Sequence, residues 1–427
     1  MRPVPGPRIA DHLDRTDALV REFDEELRLQ LPAGAELFDA HVHVGRGSDG
    51  MIADLPELLE MLDRYGISRA FAFCLDEPDR EPAFRAGNDR TRAHARASAG
   101  RLVPFARLDL NDEPVAEARR SLVRGARGIK LHPRAQSFGL DDERLGPVFA
   151  VAAEHGVPIL IHGGHGLPPI TPALRRFVDA HPGTQLIVAH AGVADLDAFA
   201  RLFAGVPGVF FDTSTWSALD LIALFARVPA EQILHGSDYP YGQQPSSLFV
   251  AVRAARSCGL DDRRLGGVLG ETANRIANGE ALAEPTTPVG PASIEQPLAL
   301  ARVHQYLSMA APLLWTQRRD SVGVLDLAVT ASADESLDHV DLDRLRSMLE
   351  TARFLWRAIP DLETYAEKRA AARAAIQLIQ LADVVAITTP VAAPRPADTR
   401  RDRPERQPWP VSAAVGLASL SICMNGV

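Results

Sequence analysis

The chain has 427 residues, 46% apolar and 24% charged, with a formal net charge of −9. That length holds one large domain plus a smaller one, and the composition is globular rather than fibrous or disordered. An acidic balance without a basic face excludes nucleic acid as the expected partner, and Cys74, Cys258 and Cys423 stand too far apart for a disulfide framework.

The opening "MRPVPGPRIADHLDRTD" carries no apolar signal stretch, and no run approaches the roughly 20 apolar residues of a membrane span. A cytoplasmic protein with no membrane partner is therefore expected. Residues 1–35 read as a helical lead-in. From residue 36 short β-rich runs alternate with longer helical patterns. The runs are "ELFDAHVHV" (36–44), "SRAFAFCL" (68–75), "LVPFARLDL" (102–110) and "RGIKLHP" (127–133), then "VPILIHGG" (157–164), "TQLIVAHAG" (184–192), "GVFFDTST" (208–215) and "EQILHGSDYP" (231–240). Between them, segments such as "LPELLEMLDRYG" and "LGPVFAVAAEHG" space apolar residues helically and end in glycine.

Near-continuous apolar strands alternating with helices mean a parallel sheet covered on its outer face. Eight such units over 36–284 predict an α/β protein, a (β/α)8 TIM barrel. A doubly wound sheet would want a Gly-rich phosphate turn after its first strand, and "HVHVGRGSDG" is a poor one. Residues 285–297 are a Pro/Thr/Gly linker. Residues 298–392 carry amphipathic helical patterns and read as a C-terminal helical appendage. The Pro/Arg-rich start of 393–427 predicts a disordered tail. The appendage needs a surface to cover its apolar faces, either the barrel wall or a second subunit, and a homodimer is expected.

Chemistry-bearing residues fall at the ends of the runs. His41 and His43 close the first, Lys130 and His132 the fourth, His162 the fifth and His190 the sixth, and Asp238 follows the eighth. Strand C-termini converge on one rim of such a barrel, where its chemistry is placed. Two residues apart on a strand, His41 and His43 point the same way. Two neutral imidazoles on one face can bind a divalent metal, and His162, His190 and Asp238 can complete the shell and supply a base. A lone buried histidine is more often a hydrogen-bonded core residue than a ligand. Five ligand-type residues at the ends of four separate strands make a site.

"FDAHVHVG", "GIKLHP", "PILIHGG", "LIVAHAG" and "ILHGSDYPYG", in this order, resemble the amidohydrolase superfamily. The resemblance is to the branch that includes aminocarboxymuconate-semialdehyde decarboxylase, resorcylate-type decarboxylases and pyrone-dicarboxylate lactonase, and it spans about residues 36–280. It implies a metal-dependent enzyme with His41, His43, His162 and Asp238 as ligands. Asp238 would also be the general base, and His190 would polarise the substrate or shuttle a proton. One divalent ion, most simply Zn²⁺, is expected rather than two. The decarboxylases tend to follow the sixth-strand histidine with a Gly-rich turn and a proline, whereas here the text is "AHAGVADLDAF". Hydrolysis of a small carbonyl compound, an amide or lactone, by metal-activated water is therefore preferred. Non-oxidative decarboxylation of a small carboxylic acid is the alternative.

Lys130 raises its own question. Of the 46 basic residues only Lys130 and Lys368 are lysines, so the chain uses arginine wherever a plain cation serves. Alternation sends Ile129 and Leu131 to the helix-facing side, and Lys130 and His132 toward the barrel axis. Three roles compete for Lys130: a cation paired with Asp109 or Asp212, an amine that holds a substrate carboxylate, or a carbamate bridging two ions. The second ranks first, because a compact, deprotonatable amine is what arginine cannot supply. His132, His165 in the rim loop "HGGHGLPP", and Arg46 just past the first strand are the remaining candidate contacts to the small-molecule substrate.

Overall fold

Side chains in the alternating runs sort by parity into two apolar layers, and that sorting shapes the molecule. The computed structural model describes residues 8–389 apart from 165, 169, 216, 291–295, 316–322 and 334–339. The tail expected for 393–427 lies outside the described residues. All eight runs form strands: β1 (Leu37–Arg46), β3 (Ile67–Cys74), β4 (Leu102–Arg107), β5 (Gly128–Leu131), β6 (Pro158–Ile161), β7 (Gln185–Val188), β8 (Val209–Asp212) and β9 (Ile233–Leu234). A two-residue strand not expected from the sequence, β2 (Ile52–Ala53), pairs antiparallel with the end of β1. The sheet order is β2-β1-β3-β4-β5-β6-β7-β8-β9, parallel from β1 onward.

The residues after β9 reach back to β1. Ala40 N donates to His235 O at 2.7 Å, Asp238 N to His41 O at 2.8 Å, and His43 N to Tyr239 O at 2.7 Å. A parallel bridge joins Val42 and Tyr239. The sheet is thus of the TIM-barrel type, with its first and last strands linked by a few backbone bonds. Helices fill the connections: α2 (Leu55–Arg64), α3 (Arg85–Ala97), α4 (Pro114–Val123), α5 (Leu145–His155), α6 (Thr171–Ala180), α7 (Leu196–Phe203), α8 (Ala218–Arg227) and α9 (Ser246–Ser257).

Inside the sheet lie Phe38, Phe71, Phe73, Phe105, Leu160, Ile187, Phe210 and Leu234. Their strand neighbours Leu102, Ile129, Leu131, Ile159, Ile161, Leu186, Val188 and Phe211 face the helices. Period-two alternation produces both layers at once. After α9 come two short helices, α10 (Asp262–Gly266) and α11 (Thr272–Asn278), and Ala273 and Ile276 of α11 join the inner cluster. They seal the barrel at the end where β1 begins, so the polar residues gather at the other end.

The remaining helices wrap one side: α1 (Ile9–Gln30), α12 (Leu298–Trp315), α13 (Val324–Ser332), α14 (Val340–Ala358) and α15 (Tyr365–Thr388). A capping box starts α15, with Glu367 N donating to Thr364 Oγ1 at 3.2 Å and Thr364 N to Glu367 Oε2 at 3.0 Å. By length and composition α15 is apolar enough to cross a membrane, yet 61% of its most apolar window is buried. It packs on α8 and α9 of the barrel wall and on α1, α12 and α14. The surface that the appendage needed is therefore available within the chain itself.

One glycine shows how tightly the closing segment is fitted. A Cβ on Gly270, in the π-helical turn Gly267–Glu271, would lie 1.9 Å from Glu36 O and 3.0 Å from Phe38 N. Both atoms are backbone and cannot rotate away. Gly270→Ala is expected to destabilise the protein by about 2 kcal/mol or more, measured by denaturant unfolding; unaltered stability would show that the turn and β1 are less closely packed.

Candidate metal centre at the strand ends

A bulge lets the first strand present two histidines to the barrel axis. Ala40 faces inward, and the register slips between Asp39 and Val42. Val42 and Val44 consequently pack outward, while His41 and His43 turn in against the Phe73 ring, at 5.1 and 4.6 Å between centroids. Both are buried. Asp238 reaches them from the far side of the closing seam. Its φ of +62° is a left-handed conformation that costs a non-glycine residue on the order of 1 kcal/mol. Its Oδ1 lies 3.0 Å from His43 Nε2 and 3.2 Å from His41 Nε2.

The hydrogen bonds around this group fix which nitrogens carry protons. His41 Nδ1 donates to Asp212 Oδ2 at 2.8 Å, which leaves Nε2 as a lone pair aimed at an Asp238 oxygen, without a hydrogen-bond partner. Two acceptors facing each other repel, and a cation between them removes the repulsion. On the other side, His190 Nδ1 donates to Ser214 O at 2.9 Å. His190 Nε2 therefore accepts from His162 Nδ1 at 2.9 Å, and His162 Nε2 is left buried and partnerless. The donor set, neutral imidazole nitrogens and a carboxylate, is one that Zn²⁺ and similar ions take.

Asp212 holds this arrangement. Besides His41 it accepts from His190 N at 2.8 Å, Ser214 N at 3.1 Å and Ser214 Oγ at 2.5 Å. Burial would raise its pKa, but His41 and these donors hold it down at about 2. The same two carboxylates act on His41. Burial and Lys130 push its pKa down, while Asp212 and Asp238 outweigh them and raise it, so the pocket draws positive charge. Burial lowers the pKa of His43 to about 3 and keeps His190, His162 and His132 in the neutral form that ligands and bases require. His190 reaches the pocket only through a backbone turn. Ala189 already faces inward, so alternation would send His190 outward. Left-handed φ values of +59° at His190 and +55° at Ala191 redirect it.

Ligand atoms of His41, His43 and Asp238 lie within 4.8 Å of one another, and so do those of His41, His190 and Asp212. His162 stands in neither group; it adjoins them through His190, and its ring stacks on His132 at 4.0 Å. Lys130 points inward as alternation demands, 1% exposed, with Nζ 4.5 Å from the Phe73 ring centroid. Burial brings its pKa down to about 7, against the pull of Asp238 and Asp212. Among the described residues no carboxylate lies within ion-pairing distance of it. Arg46 lies exposed at the end of β1, paired with β2, and is not brought to this group. His165 lies outside the described residues.

Sequence reasoning passed over Ser214 and Arg107, and named Asp212 only as a partner for Lys130. Asp212 and Ser214 sit in "FFDTST", where nothing but strand-end position marks them. Arg107 ends β4 in register with Lys130, on the inward parity of Phe105, and is 2% exposed. Its Nη1 donates to Cys74 O at 3.1 Å, Asp76 lies 3.6 Å from Nη2, and Nε has no hydrogen-bond partner. An arginine in a chain rich in arginine draws no notice until alternation is followed along that strand.

The family model for amidohydrolases matches residues 38–276, more than half of the chain. The chain belongs to the amidohydrolase family. It is an enzyme of that metal-dependent superfamily, and the histidine–aspartate groups fit a metal ion. A search of curated proteins finds no match. Among solved structures, 5-carboxyvanillate decarboxylase from Sphingomonas paucimobilis is 16% identical over 57% of this chain and 99% of its own, with a TM-score of 0.45. IDCase from Metarhizium anisopliae is 17% identical over 58% and 98%, with a TM-score of 0.46. 4-Oxalomesaconate hydratase from Rhodopseudomonas palustris is 14% identical over 57% and 95%, with a TM-score of 0.42.

In this amidohydrolase the His41→Ala/His43→Ala double variant is expected to lose bound divalent metal while keeping its circular dichroism spectrum. Elemental analysis of the purified protein checks this; full occupancy in the variant would place the metal elsewhere.

Proposed function

We propose that the protein is a metal-dependent hydrolase that adds water to a small carbonyl substrate, an amide or lactone, at the His41–His43–Asp238 group. The observation that carries the proposal is the single Asp238 oxygen set within 3.2 Å of two imidazole nitrogens. One divalent ion, Zn²⁺ by its donor chemistry, is assigned to His41, His43, His162 and Asp238. When bound, such an ion acidifies water and polarises a carbonyl. Asp238 then has the work of a base, taking the proton of the attacking water, since its neighbours hold it ionised: His41 and the histidine hydrogen bonds keep its pKa well below the carboxylate range despite burial. His190, neutral and with its Nδ1–H given to Ser214 O, presents Nε2 as an acceptor. It takes the proton from Asp238 there, and once protonated holds the carbonyl oxygen or passes the proton to the leaving group. Lys130 and His132 face the remainder of the substrate.

Non-oxidative decarboxylation is the second reading, and one observation favours it. Lys130 and Arg107 are buried and in register on adjacent strands. Arg107 has Asp76 at 3.6 Å, whereas no described carboxylate lies within ion-pairing distance of Lys130, and a buried charge calls for a counter-charge. A substrate carboxylate supplies one. In that reaction Asp238 or His190 would deliver a proton to the carbon that loses CO₂.

Asp238→Asn keeps the shape of the side chain and removes the base. Turnover is expected to fall about 10²–10⁴-fold with little change in KM; near-normal kcat would move the base elsewhere, with His190 next. A panel of lactones, amides and aromatic carboxylates separates the two reactions. Lys130→Arg keeps charge but not the amine, so metal content should stay and turnover on that panel should collapse. An active Lys130→Arg enzyme would remove the amine from the mechanism.

A further inference from the structure

The proposed ligands sit on opposite sides of the joint that closes the barrel. β6 and β7 pair through four Cα partners, whereas β9 has two residues, and its exit meets β1 through one bridge beside a bulge. His41 and His43 stand on one side of that joint and Asp238 on the other. The Asp238–His distances therefore depend on whatever holds the two edges together.

Helix α15 crosses this joint. Arg369, Arg373 and Gln377 are spaced four apart, so they form one polar row on a helix that is otherwise largely apolar. On the β1 side, Arg369 Nη2 donates to Ile52 O of β2 at 3.3 Å, and Arg373 pairs with Glu57 of α2. On the β9 side, Gln377 Nε2 donates to Gln244 O at 3.0 Å, in the loop that begins with Asp238. Arg253 of α9 donates to Thr388 Oγ1 at 2.9 Å and anchors the far end of the helix. Tyr239, 2% exposed, lies between: its carbonyl receives His43 N, and its ring lies within the electrostatic reach of Glu57, Arg373 and Arg369. None of these three α15 residues lies in the family-matched segment 38–276.

We infer that α15 is a clasp across the seam between the first and last strands, with Arg369, Arg373 and Gln377 as positioning residues that set Asp238 against His41 and His43. The metal-binding consequence rests on the site reading proposed above; the mechanical one does not. The C-terminal helices thereby have a function in the site, although none of the three touches the reacting atoms.

The test compares the full-length protein with Arg369→Ala/Arg373→Ala/Gln377→Ala. Hydrogen–deuterium exchange on metal-free protein should show at least tenfold faster exchange in 38–44 and 237–245, with β5 to β7 unchanged. Affinity for Zn²⁺, by chelator competition, should fall at least tenfold, and the visible spectrum of the Co²⁺ form should shift. The charge-reversed pair Glu57→Arg/Arg373→Glu should restore what either single reversal loses, which a mere loss of bulk stability would not predict. Unchanged exchange at the seam, or exchange raised equally throughout the barrel, overturns the clasp. Seam exchange that rises in a protein whose wild type binds no ion sustains the clasp and removes the metal site.

Discussion

One oxygen of Asp238, shared between two imidazole nitrogens, is the contact on which the rest of the arrangement depends. A barrel closed only by backbone hydrogen bonds needs no buried carboxylate at its seam. Burying one among histidines is favourable only if positive charge or hydrogen-bond donors meet it. Here Asp212 accepts the Nδ1–H of His41, so in the neutral imidazole Nε2 has no proton to offer Asp238, and the two carboxylates raise the His41 pKa. The His41–Asp238 contact therefore draws positive charge, from a proton on His41 or from a metal ion that these groups fit. Ser214 acts in the same way on the other half, since its carbonyl fixes His190, which in turn fixes His162. Two hydrogen-bonded carbonyl or carboxylate acceptors at the end of β8 thus determine the lone pairs of three histidines.

Backbone strain helps to build this polar group, which holds three of the eight non-glycine residues with positive φ among those described. His190, Ala191 and Asp238 all hold positive φ, each at a cost of order 1 kcal/mol. At His190 and Asp238 the conformation turns a side chain toward the pocket. Ordinary alternation would send His190 into the apolar layer against the helices, where an imidazole has no partner. Local strain is accepted because the alternative, an unpaired polar ring in the outer core, is worse. The β1 bulge makes the same exchange by another route, shifting the phase of one strand so that two histidines rather than two valines face the axis.

The features legible in the sequence are those governed by rigid periodicity. Period-two alternation put Lys130 on the inner side of "GIKLHP" and its neighbours against helices, as the two core layers show. It also delivered the eight strands, because near-continuous apolar runs leave little choice. Features set by irregular backbone were not legible. Nothing in "FDAHVHVG" announces the bulge, and the expectation that His41 and His43 face together survives it only because both lie beyond the slip. Asp212 was visible as a strand-end aspartate, but its part is defined by what three separate strands place around it. Arg107 was hidden by abundance. The helices after 298 showed amphipathic faces without saying what those faces cover, since a pattern within one helix carries no address.

Lys130 now stands in a narrower context than its sequence gave. A structural cation would rest against a carboxylate, and none of the described carboxylates lies within ion-pairing distance; instead the ammonium sits over the Phe73 ring beside a second buried cation, Arg107. Burial brings the lysine pKa down to about 7, against the pull of Asp238 and Asp212, and Arg107 adds a smaller push in the same direction. An arginine at position 130 could not respond in this way, because its guanidinium stays charged whatever its surroundings. Over the Phe73 ring and in register with Arg107, position 130 holds a cation that can release its proton, which an arginine there could not do.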